Sequence, residues 1–353
     1  MKKMLIFVAI VSLVAGSLFA EEAVLIDFSK LTADIHVSLG PDDEDDTPNQ
    51  NRATMMDYSA VRVGGSFTEA QKRVMRTSLA IENWEVLLSS SSRTINNMVK
   101  SFTREAPSKQ WGTVMGVRVH FPVENFNASA LIKPPFEIPA YEPQGEVQDD
   151  GTIEASEDSD GITTPSRFED GYGVVKNVGT LKSVAVNVYG LNFPHGLSTL
   201  IIDGISGTQR SVFMGYLNYD GWGELRWDNP AYVQEVRNRD LRLYPLYPDS
   251  TPFVKFNGFE IKRDAARTGG DFITYFKDVK IIYDKAVLDQ DRDIDDESLW
   301  NIVRDRETAR KTWEMERFGQ NQVLRYLDTQ KQATESTFTP TAANDDGGNG
   351  QTE

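Results

Sequence analysis

The sequence predicts a mainly β protein: an antiparallel β-sandwich of jelly-roll type with a C-terminal α-helix and acidic disordered loops. Three observations indicate this fold class. Short runs rich in Val, Ile and aromatic residues recur between Gly, Asn, Asp and Pro. No helical segment alternates regularly with these runs, which argues against a parallel α/β sheet. Turn signals separate neighbouring runs, as in antiparallel sandwiches.

The predicted strands follow one another through the middle of the chain. Residues 200–202, for example, lead into Asp203 and Gly204, a pair that tolerates positive φ and therefore favours a hairpin. In chain order the predicted strands are 23–28, 84–90, 113–121, 128–138, 181–190, 197–203, 209–217, 222–227, 253–262 and 272–284.

The first 20 residues are predicted to be a signal peptide. Two lysines precede an apolar run over residues 5–18, which is too short to span a bilayer comfortably. We expect cleavage after Ala20, with Ser17 as the alternative position, and a retained membrane anchor is the competing interpretation. Export through this signal predicts a periplasmic protein.

The remaining chain divides by composition into a folded domain, a helix and a tail. A helix over about 297–328 carries an interrupted apolar stripe and is capped by Asp295 or Asp296. A second, short helix is predicted over 67–81. The expected organisation is a signal peptide over 1–20, a β-sandwich over 21–290 with acidic flexible insertions at 40–51 and 141–171, a helical region over 291–330 and a disordered tail over 331–353.

Charge and cysteine content exclude several classes of function. The net charge of −16 predicts a surface that repels nucleic acid and anionic lipid, so neither nucleic acid nor a membrane is expected as a partner after signal cleavage. The chain has no cysteine. Thiol nucleophiles, thiolate zinc sites and disulfides are therefore excluded.

The three histidines do not form a recognisable site. His36, His120 and His195 are far apart in sequence, and none has a second histidine at helical ligand spacing. We interpret them as ordinary surface or partly buried residues. No nucleophile elbow or phosphate-binding glycine loop accompanies them, so we expect no catalytic residue and no cofactor.

One acidic run has the spacing of a calcium-binding loop. Asp289, Asp291 and Asp293 alternate as in an EF-hand. The sixth and twelfth loop positions, however, are Ile294 and Trp300 instead of the required glycine and glutamate. We therefore expect no metal site, and we interpret the run as a solvated linker that leads into the helix.

The stretch around the predicted strand 222–227 carries the best candidate contact residues. In strand geometry Trp222, Glu224 and Arg226 share one face, while Leu225 and Trp227 lie on the other with the core. An aromatic ring beside a carboxylate and a guanidinium is suited to contacting a protein or a glycan. The alternative interpretation is that Trp222 packs under a loop.

Long runs in a consistent order between about Val24 and Trp300 are more specific than any short motif in the chain. They are "VLIDF", "NWEVLLSSSSRT", "GVRVHFPVENFNASALIKPPFEI", "GVVKNVGTLKSVAVNVYGLNF", "MGYLNYDGWGELRWDNPAYV", "GGDFITYFKDVKIIYD" and "DIDDESLW". In these runs the sequence resembles the spirochaete FlaA family, the flagellar filament outer-layer (sheath) proteins. The two acidic insertions and the C-terminal tail lie outside the resemblance.

The resemblance implies a non-enzymatic structural subunit of the periplasmic flagellum. Such a subunit coats the flagellin core, contacts other sheath subunits and supports motility. The family resemblance implies no residue-level binding motif. A signal peptide suits a subunit added from the periplasm, and the strand-rich N-terminal half differs from the long terminal helices of flagellins. The alternative function is a periplasmic carbohydrate-binding jelly-roll module, which is compatible with recognition of a flagellin glycan.

Overall fold

The computed structural model contains two packed antiparallel sheets, which confirms the predicted β-sandwich. A long helix follows the last strand, as predicted. The described residues are 21–35, 49–58, 68, 75–140, 145–147, 153–155, 167–204, 207–240, 252–267, 269–286, 294 and 296–337.

The strands and helices are numbered in chain order. The strands are β1 (Glu21–Asp27), β2 (Met56–Asp57), β3 (Arg76–Thr77), β4 (Glu85–Leu88), β5 (Phe102–Ser108), β6 (Gly112–Phe121), β7 (Ala128–Lys133), β8 (Gly145–Val147), β9 (Ile153–Ala155), β10 (Val174–Lys176), β11 (Val178–Leu191), β12 (Gly196–Asp203), β13 (Gln209–Tyr216), β14 (Asp220–Asp228), β15 (Phe253–Arg263) and β16 (Gly270–Lys285). The helices are α1 (Ile95–Val99), α2 (Tyr232–Asp240), α3 (Asp296–Trp300) and α4 (Ile302–Thr337).

Each large sheet contains six strands. The first sheet has the order β14-β11-β16-β6-β5, and β1 also pairs with β16. The second sheet has the order β13-β12-β15-β7-β4, and β10 also pairs with β15. Apart from the consecutive pairs β5–β6 and β12–β13, neighbouring strands in these sheets are separated in sequence, and β1 pairs with β16, so residues from both ends of the described sandwich meet on one surface.

Alternating side chains place the core between the sheets. On β11, Val184, Val186 and Val188 are fully buried, and the residues between them point outwards. The rings of Phe259 on β15 and Phe276 on β16 stack with centroids 4.1 Å apart and bring the two sheets together. Burial of one such side chain contributes about 2–3 kcal/mol.

Two strands differ from the sequence prediction for local reasons. β7 ends at Lys133 instead of residue 138, because Pro134 and Pro135 follow and cannot donate backbone hydrogen bonds. β5 was not predicted: its sequence is charged and contains Pro107. It lies at the edge of the first sheet, where a proline is tolerated.

The C-terminal helix differs from the prediction at both ends. It is broken at Asn301, whose φ of 53° is incompatible with a continuous right-handed helix. Asp296 lies inside α3 and is therefore not its cap, while Asp295 lies outside the described residues. α4 continues to Thr337, beyond the predicted end at 328. No helix in the described part of the chain has the length and apolarity needed to cross a membrane.

The predicted short helix and the acidic insertions also need correction. The helix predicted over 67–81 is wrong for residues 76–77, which form β3, and most of the preceding residues lie outside the described part. Gln50 and Phe168 are buried, so these ends of the two acidic insertions are packed, contrary to expectation. Most other residues of both insertions lie outside the described residues.

Candidate contact surface

The edge strand β14 presents the predicted contact residues on the outer face of the first sheet. Trp222 lies beside Tyr189 of β11, and Glu224 lies beside Asn187. On the opposite face, Leu225 and Trp227 pack against the core, as predicted. Both remain partly exposed because β14 has no neighbour on its other edge within the first sheet.

Two glycines allow β14 to pack closely on its turn. The ring of Tyr219 lies against Gly223, where an added Cβ would come within 2.9 Å of Tyr219 Cε2. At Gly190 on the neighbouring strand, a Cβ would approach the Tyr219 carbonyl oxygen to 2.5 Å. The Tyr219 hydroxyl donates to the Val188 carbonyl at 3.1 Å, and burial raises the pKa of this hydroxyl to about 12. Tyr219 therefore holds the strand that carries Trp222.

Trp222 belongs to an aromatic cluster, defined here as Trp111, Tyr189, Trp222 and Tyr275. Its ring centroid lies 5.4 Å from that of Tyr189 and 6.4 Å from that of Trp111. Tyr189 in turn lies 5.9 Å from Tyr275. All these pairs are edge-to-face, the geometry that aromatic quadrupoles favour.

The cluster has an open side. Trp111, at the tip of the β5–β6 hairpin, is 39% exposed, and the other three rings are half-buried. The alternative interpretation, in which Trp222 packs under a loop, is correct in part, because the ring of Trp111 at this hairpin tip contacts the ring of Trp222. Gly116 of β6 makes room for Tyr275, whose Cδ1 would lie 3.2 Å from an added Cβ.

A charged group borders the cluster. The Lys277 ammonium lies 5.7 Å from the centre of the Trp111 ring and donates to Asp27 at 3.1 Å and Asp278 at 3.0 Å. Asn187 donates to Asp278 at 2.6 Å. Burial opposes the charge on Lys277, but its two carboxylate partners outweigh this effect and raise its pKa. The ammonium is therefore held in place beside the rings.

The other two predicted contact residues are placed differently from Trp222. Arg226 donates to Asp228 of its own strand at 2.9 Å, and both side chains are exposed. Glu224 is exposed on the same face. The structure therefore brings Trp222 into a cluster with aromatic residues from other strands, while Arg226 forms a surface ion pair that contributes about 0–1 kcal/mol.

A second polar group lies at the far end of the same sheet. Arg118 and His120 of β6 both contact Asp271 of β16, at 3.1 Å and 2.8 Å. The hydrogen bond from His120 is the main reason that the pKa of Asp271 lies below its ordinary value. This group adds a directional charged contact to the face that carries the cluster.

His195 does not join this surface. His195 is buried against the rings of Phe121, Phe193 and Phe272, with centroids 4.8 to 5.8 Å away. Burial, reinforced by nearby Arg263, lowers the pKa of His195 to about 4, so the ring is neutral at pH 7. His36 lies outside the described residues.

No metal site was predicted, and the described part of the chain contains no group of three or more His, Cys, Asp or Glu residues placed to hold an ion. The aspartates at 289, 291 and 293 lie outside that part. The outer face thus offers half-exposed rings and fixed charges. Such a surface is suited to a large partner that buries aromatic area and forms a few charge-assisted hydrogen bonds.

Comparison with known proteins identifies the family. The model of the family described as flagellar filament outer layer protein FlaA matches residues 47–292. A flagellar filament outer layer protein of Treponema pallidum is 50% identical over 346 residues, which cover 96% of this chain and 97% of the relative. The chain belongs to the FlaA family. This confirms the resemblance predicted from the sequence. A second FlaA relative, the flagellar filament outer layer protein of Spirochaeta aurantia, is 43% identical and covers 91% of this chain and 90% of its own length.

Solved structures show only distant likeness to this FlaA chain. Carbohydrate-binding modules of the β-sandwich superfamily match with a TM-score of 0.29 at 10% identity over 56% of each chain. A family 11 carbohydrate-binding module of Clostridium thermocellum matches with a TM-score of 0.24 at 9% identity, over 60% of this chain and 91% of the module. At these TM-scores the likeness carries no argument about function.

Sequence reasoning identified Trp222 but missed Trp111, Tyr189 and Tyr275. Trp111 lies in a hairpin turn, Tyr189 and Tyr275 lie on different strands, and nothing in their local sequence marks them as members of one cluster. The available signal was alternation: Tyr189 and Tyr275 occupy the outward positions of strands whose inward positions are aliphatic or Phe. Their convergence depends on the order of strands in the sheet.

Proposed function

We propose that this FlaA chain is a periplasmic structural subunit that lies on the flagellin core of the filament as part of its outer layer. One observation carries the proposal: the 50% identity to a flagellar filament outer layer protein extends over nearly the full length of both chains. The role is structural, and no reaction is assigned to the chain. The apolar N-terminal run preceded by lysines supports delivery to the periplasm.

The aromatic cluster is the surface proposed to contact the filament. Interface hot spots are enriched in Trp, Tyr and Arg, and they lie where large side chains can be fully desolvated. Trp111 and Trp222 are partly exposed and are held by ring contacts and by Lys277. Such preformed rings lose little conformational entropy when a partner covers them. Glu224 and Arg226, on the same face, provide a polar rim.

A carbohydrate-binding role is the second candidate, and the same cluster favours it. Half-exposed rings beside amide and carboxylate groups, here Asn187 and the exposed Glu224, can stack on a sugar and bind its hydroxyls. The role is compatible with the first one, because a glycan carried by flagellin would place sugar at the interface.

Purified filaments test the first candidate. After the outer membrane is stripped, we expect the chain to sediment with the filaments, and we expect its deletion to leave a thinner filament of altered curvature with an intact core. Recovery of the chain solely in the soluble periplasmic fraction would contradict the proposal.

Calorimetry tests the second candidate. Oligosaccharides released from the same filaments should bind the purified chain, and Trp222→Ala should abolish the heat of binding. If the wild-type chain gives no heat with any of these oligosaccharides, the carbohydrate role is wrong while the structural role remains.

A further inference from the structure

The helix α4 is long in comparison with what it buries on its own domain. Its 36 residues extend about 54 Å. Among its described side chains, Val303 and Phe318 are the buried apolar ones, and Met315 and Val323 are partly buried against the core. Burial of these four side chains contributes about 4–9 kcal/mol before the entropy of ordering is subtracted. This is little for a helix of 36 residues, which can therefore leave its own domain when an equivalent groove is available.

The groove that receives α4 is nevertheless specific. Phe318 packs on Tyr58 with ring centroids 4.1 Å apart and on Phe136 at 6.1 Å. The next residue, Gly319, lies beside Met75, where an added Cβ would make an ordinary contact of 3.7 Å with Met75 Cε. The ring of Phe318 therefore fixes the position of the helix in the groove.

An ionic anchor makes the fit more selective. Arg317 of α4 donates to Glu137 at 3.1 Å, and Glu137 also pairs with Lys255, which is 1% exposed. Burial works against the charge on Glu137, but Lys255 and Arg317 outweigh it, so the pKa of Glu137 lies below its ordinary value. The groove therefore carries a carboxylate that is paired with a buried lysine and that accepts a hydrogen bond from the arginine of the helix.

These contacts are the same whether the helix comes from the same chain or from a neighbouring copy. We propose that α4 is exchanged in the outer layer, so that the helix of one subunit occupies the groove of the next. This inference rests on the proposed function, because a layer holds identical chains side by side at high effective concentration. Exchange of an identical element costs little, since every groove contact is kept.

The length of the connection permits the exchange. Ten residue steps separate Ala286, at the end of the sandwich, from Asp296, at the start of α3. A chain of that length reaches at most about 35 Å when extended. This distance is comparable with the width of a small domain, so α4 can reach the groove of an adjacent subunit.

Exchange also accounts for apolar side chains that the helix leaves in water. Trp313, Leu324 and Leu327 are 58%, 59% and 39% exposed. At about 100° per residue these three positions fall within about 60° of one another, on a side of the helix away from Phe318. A helix that lies between two subunits can cover this stripe with the second body.

The absence of native cysteines permits a direct test on the full chain. Met75→Cys and Gly319→Cys are made in separate chains, which are mixed, allowed to form layers on filaments and treated with a short bis-maleimide. Exchange predicts a covalent dimer that joins one chain of each type. The double variant serves as the positive control for proximity. The pair Glu85→Cys and Lys133→Cys, directly opposite on β4 and β7, should cross-link only within a chain.

The outcomes separate the inference from the proposed function. Filament-bound chains that cross-link within the double variant, but never between the mixed single variants, would overturn the exchange and leave the outer-layer role intact. If the wild-type chain does not bind filaments, the outer-layer role is wrong. The exchange is then tested by cross-linking the same mixture of single variants as concentrated free protein. Leu87→Cys with Asn321→Cys, which line the same cavity between α4 and the second sheet, replaces the first pair if Gly319→Cys does not fold.

Discussion

The outer face of the second sheet is partly covered by α4, whereas the outer face of the first sheet carries half-exposed rings. Beneath the helix lies a cavity of about 440 Å³, bordered by charged and amide side chains that include Glu137, the partner of the buried Lys255. On the open face, the aromatic cluster is bordered by the ion pairs of Lys277. Both faces combine rings with charges, and each holds a largely buried lysine, Lys255 on the second sheet and Lys277 on the first. They differ in that the open face also carries an exposed ion pair between Arg118 and Asp271. The open face therefore keeps charged groups and rings available to a partner.

The largest difference between the faces should appear when one acid is neutralised on each. Glu137→Gln leaves Lys255 buried without its carboxylate partner, so we expect the free energy of unfolding to fall by about 3 kcal/mol. Asp271→Asn, on the open face, should cost no more than about 1 kcal/mol because its partners are exposed. Urea unfolding of both variants measures the difference. Equal losses would show that the two faces do not differ in desolvation.

The double variant Glu137→Gln with Lys255→Met serves as the control for this comparison. Replacing a buried ion pair by groups without charge is often neutral, so we expect the second change to restore most of the stability. If Lys255→Met makes the protein still less stable, the loss in Glu137→Gln comes from packing and not from an unpaired charge.

The pH dependence of the free energy of unfolding should report on the buried His195, which lies in neither of the two faces. Burial lowers the pKa of His195 to about 4 in the folded protein, against 6.5 for a solvated histidine. Between these two pH values the unfolded chain therefore binds a proton at His195 that the folded chain does not bind. The contribution is fully present above pH 6.5 and is lost as the pH falls towards 4, by up to roughly 3 kcal/mol. In His195→Leu the unfolding free energy should fall less steeply over this range, and an unchanged slope would contradict this assignment.

A single substitution at Gly223 should disrupt the packing of β14 on Tyr219 beneath the open face. Gly223→Ala places a Cβ 2.9 Å from the Tyr219 ring, so we expect a loss of about 1–3 kcal/mol and a displaced β14. Gly221→Ala is the comparison variant: no atom lies within 4 Å of its Cβ, so its loss of stability comes from backbone strain at a φ of +103° alone. Both variants should melt below the wild-type chain, but only Gly223→Ala should also displace Tyr219 and alter the tryptophan fluorescence of the cluster.

The smallest effect on stability and the most specific effect on binding are expected at Trp222. Trp222→Ala should weaken filament binding about tenfold, since hot-spot truncations cost more than about 1 kcal/mol. Its melting temperature should change little, because the ring is half-exposed. Trp300→Ala, an exposed tryptophan on α3, serves as the control and should leave sedimentation with filaments unchanged. If both variants bind equally well, the open face is not the contact.

Much of the fold was predictable because alternation and turn chemistry are local. Each of the predicted strands between 84 and 284 corresponds to an observed one, and the long helix was found from its apolar stripe. The misses have physical reasons. β5 escapes detection because an edge strand with Pro107 has neither a clean alternation nor a hydrophobic run. The break at Asn301 depends on a single left-handed residue that propensity alone does not reveal.

The sequence by itself determined the strands, the two faces of β14, the final helix and membership of the FlaA family. Each of these follows from the spacing or the order of residues along the chain. Only the tertiary structure decided that Trp111, Tyr189 and Tyr275 join Trp222, and that Arg317 meets Glu137 over a buried Lys255. These residues are distant in sequence, and their contacts follow from strand order, register and helix docking. Those features arise when the whole chain packs, since they minimise buried unpaired charge and exposed apolar area together.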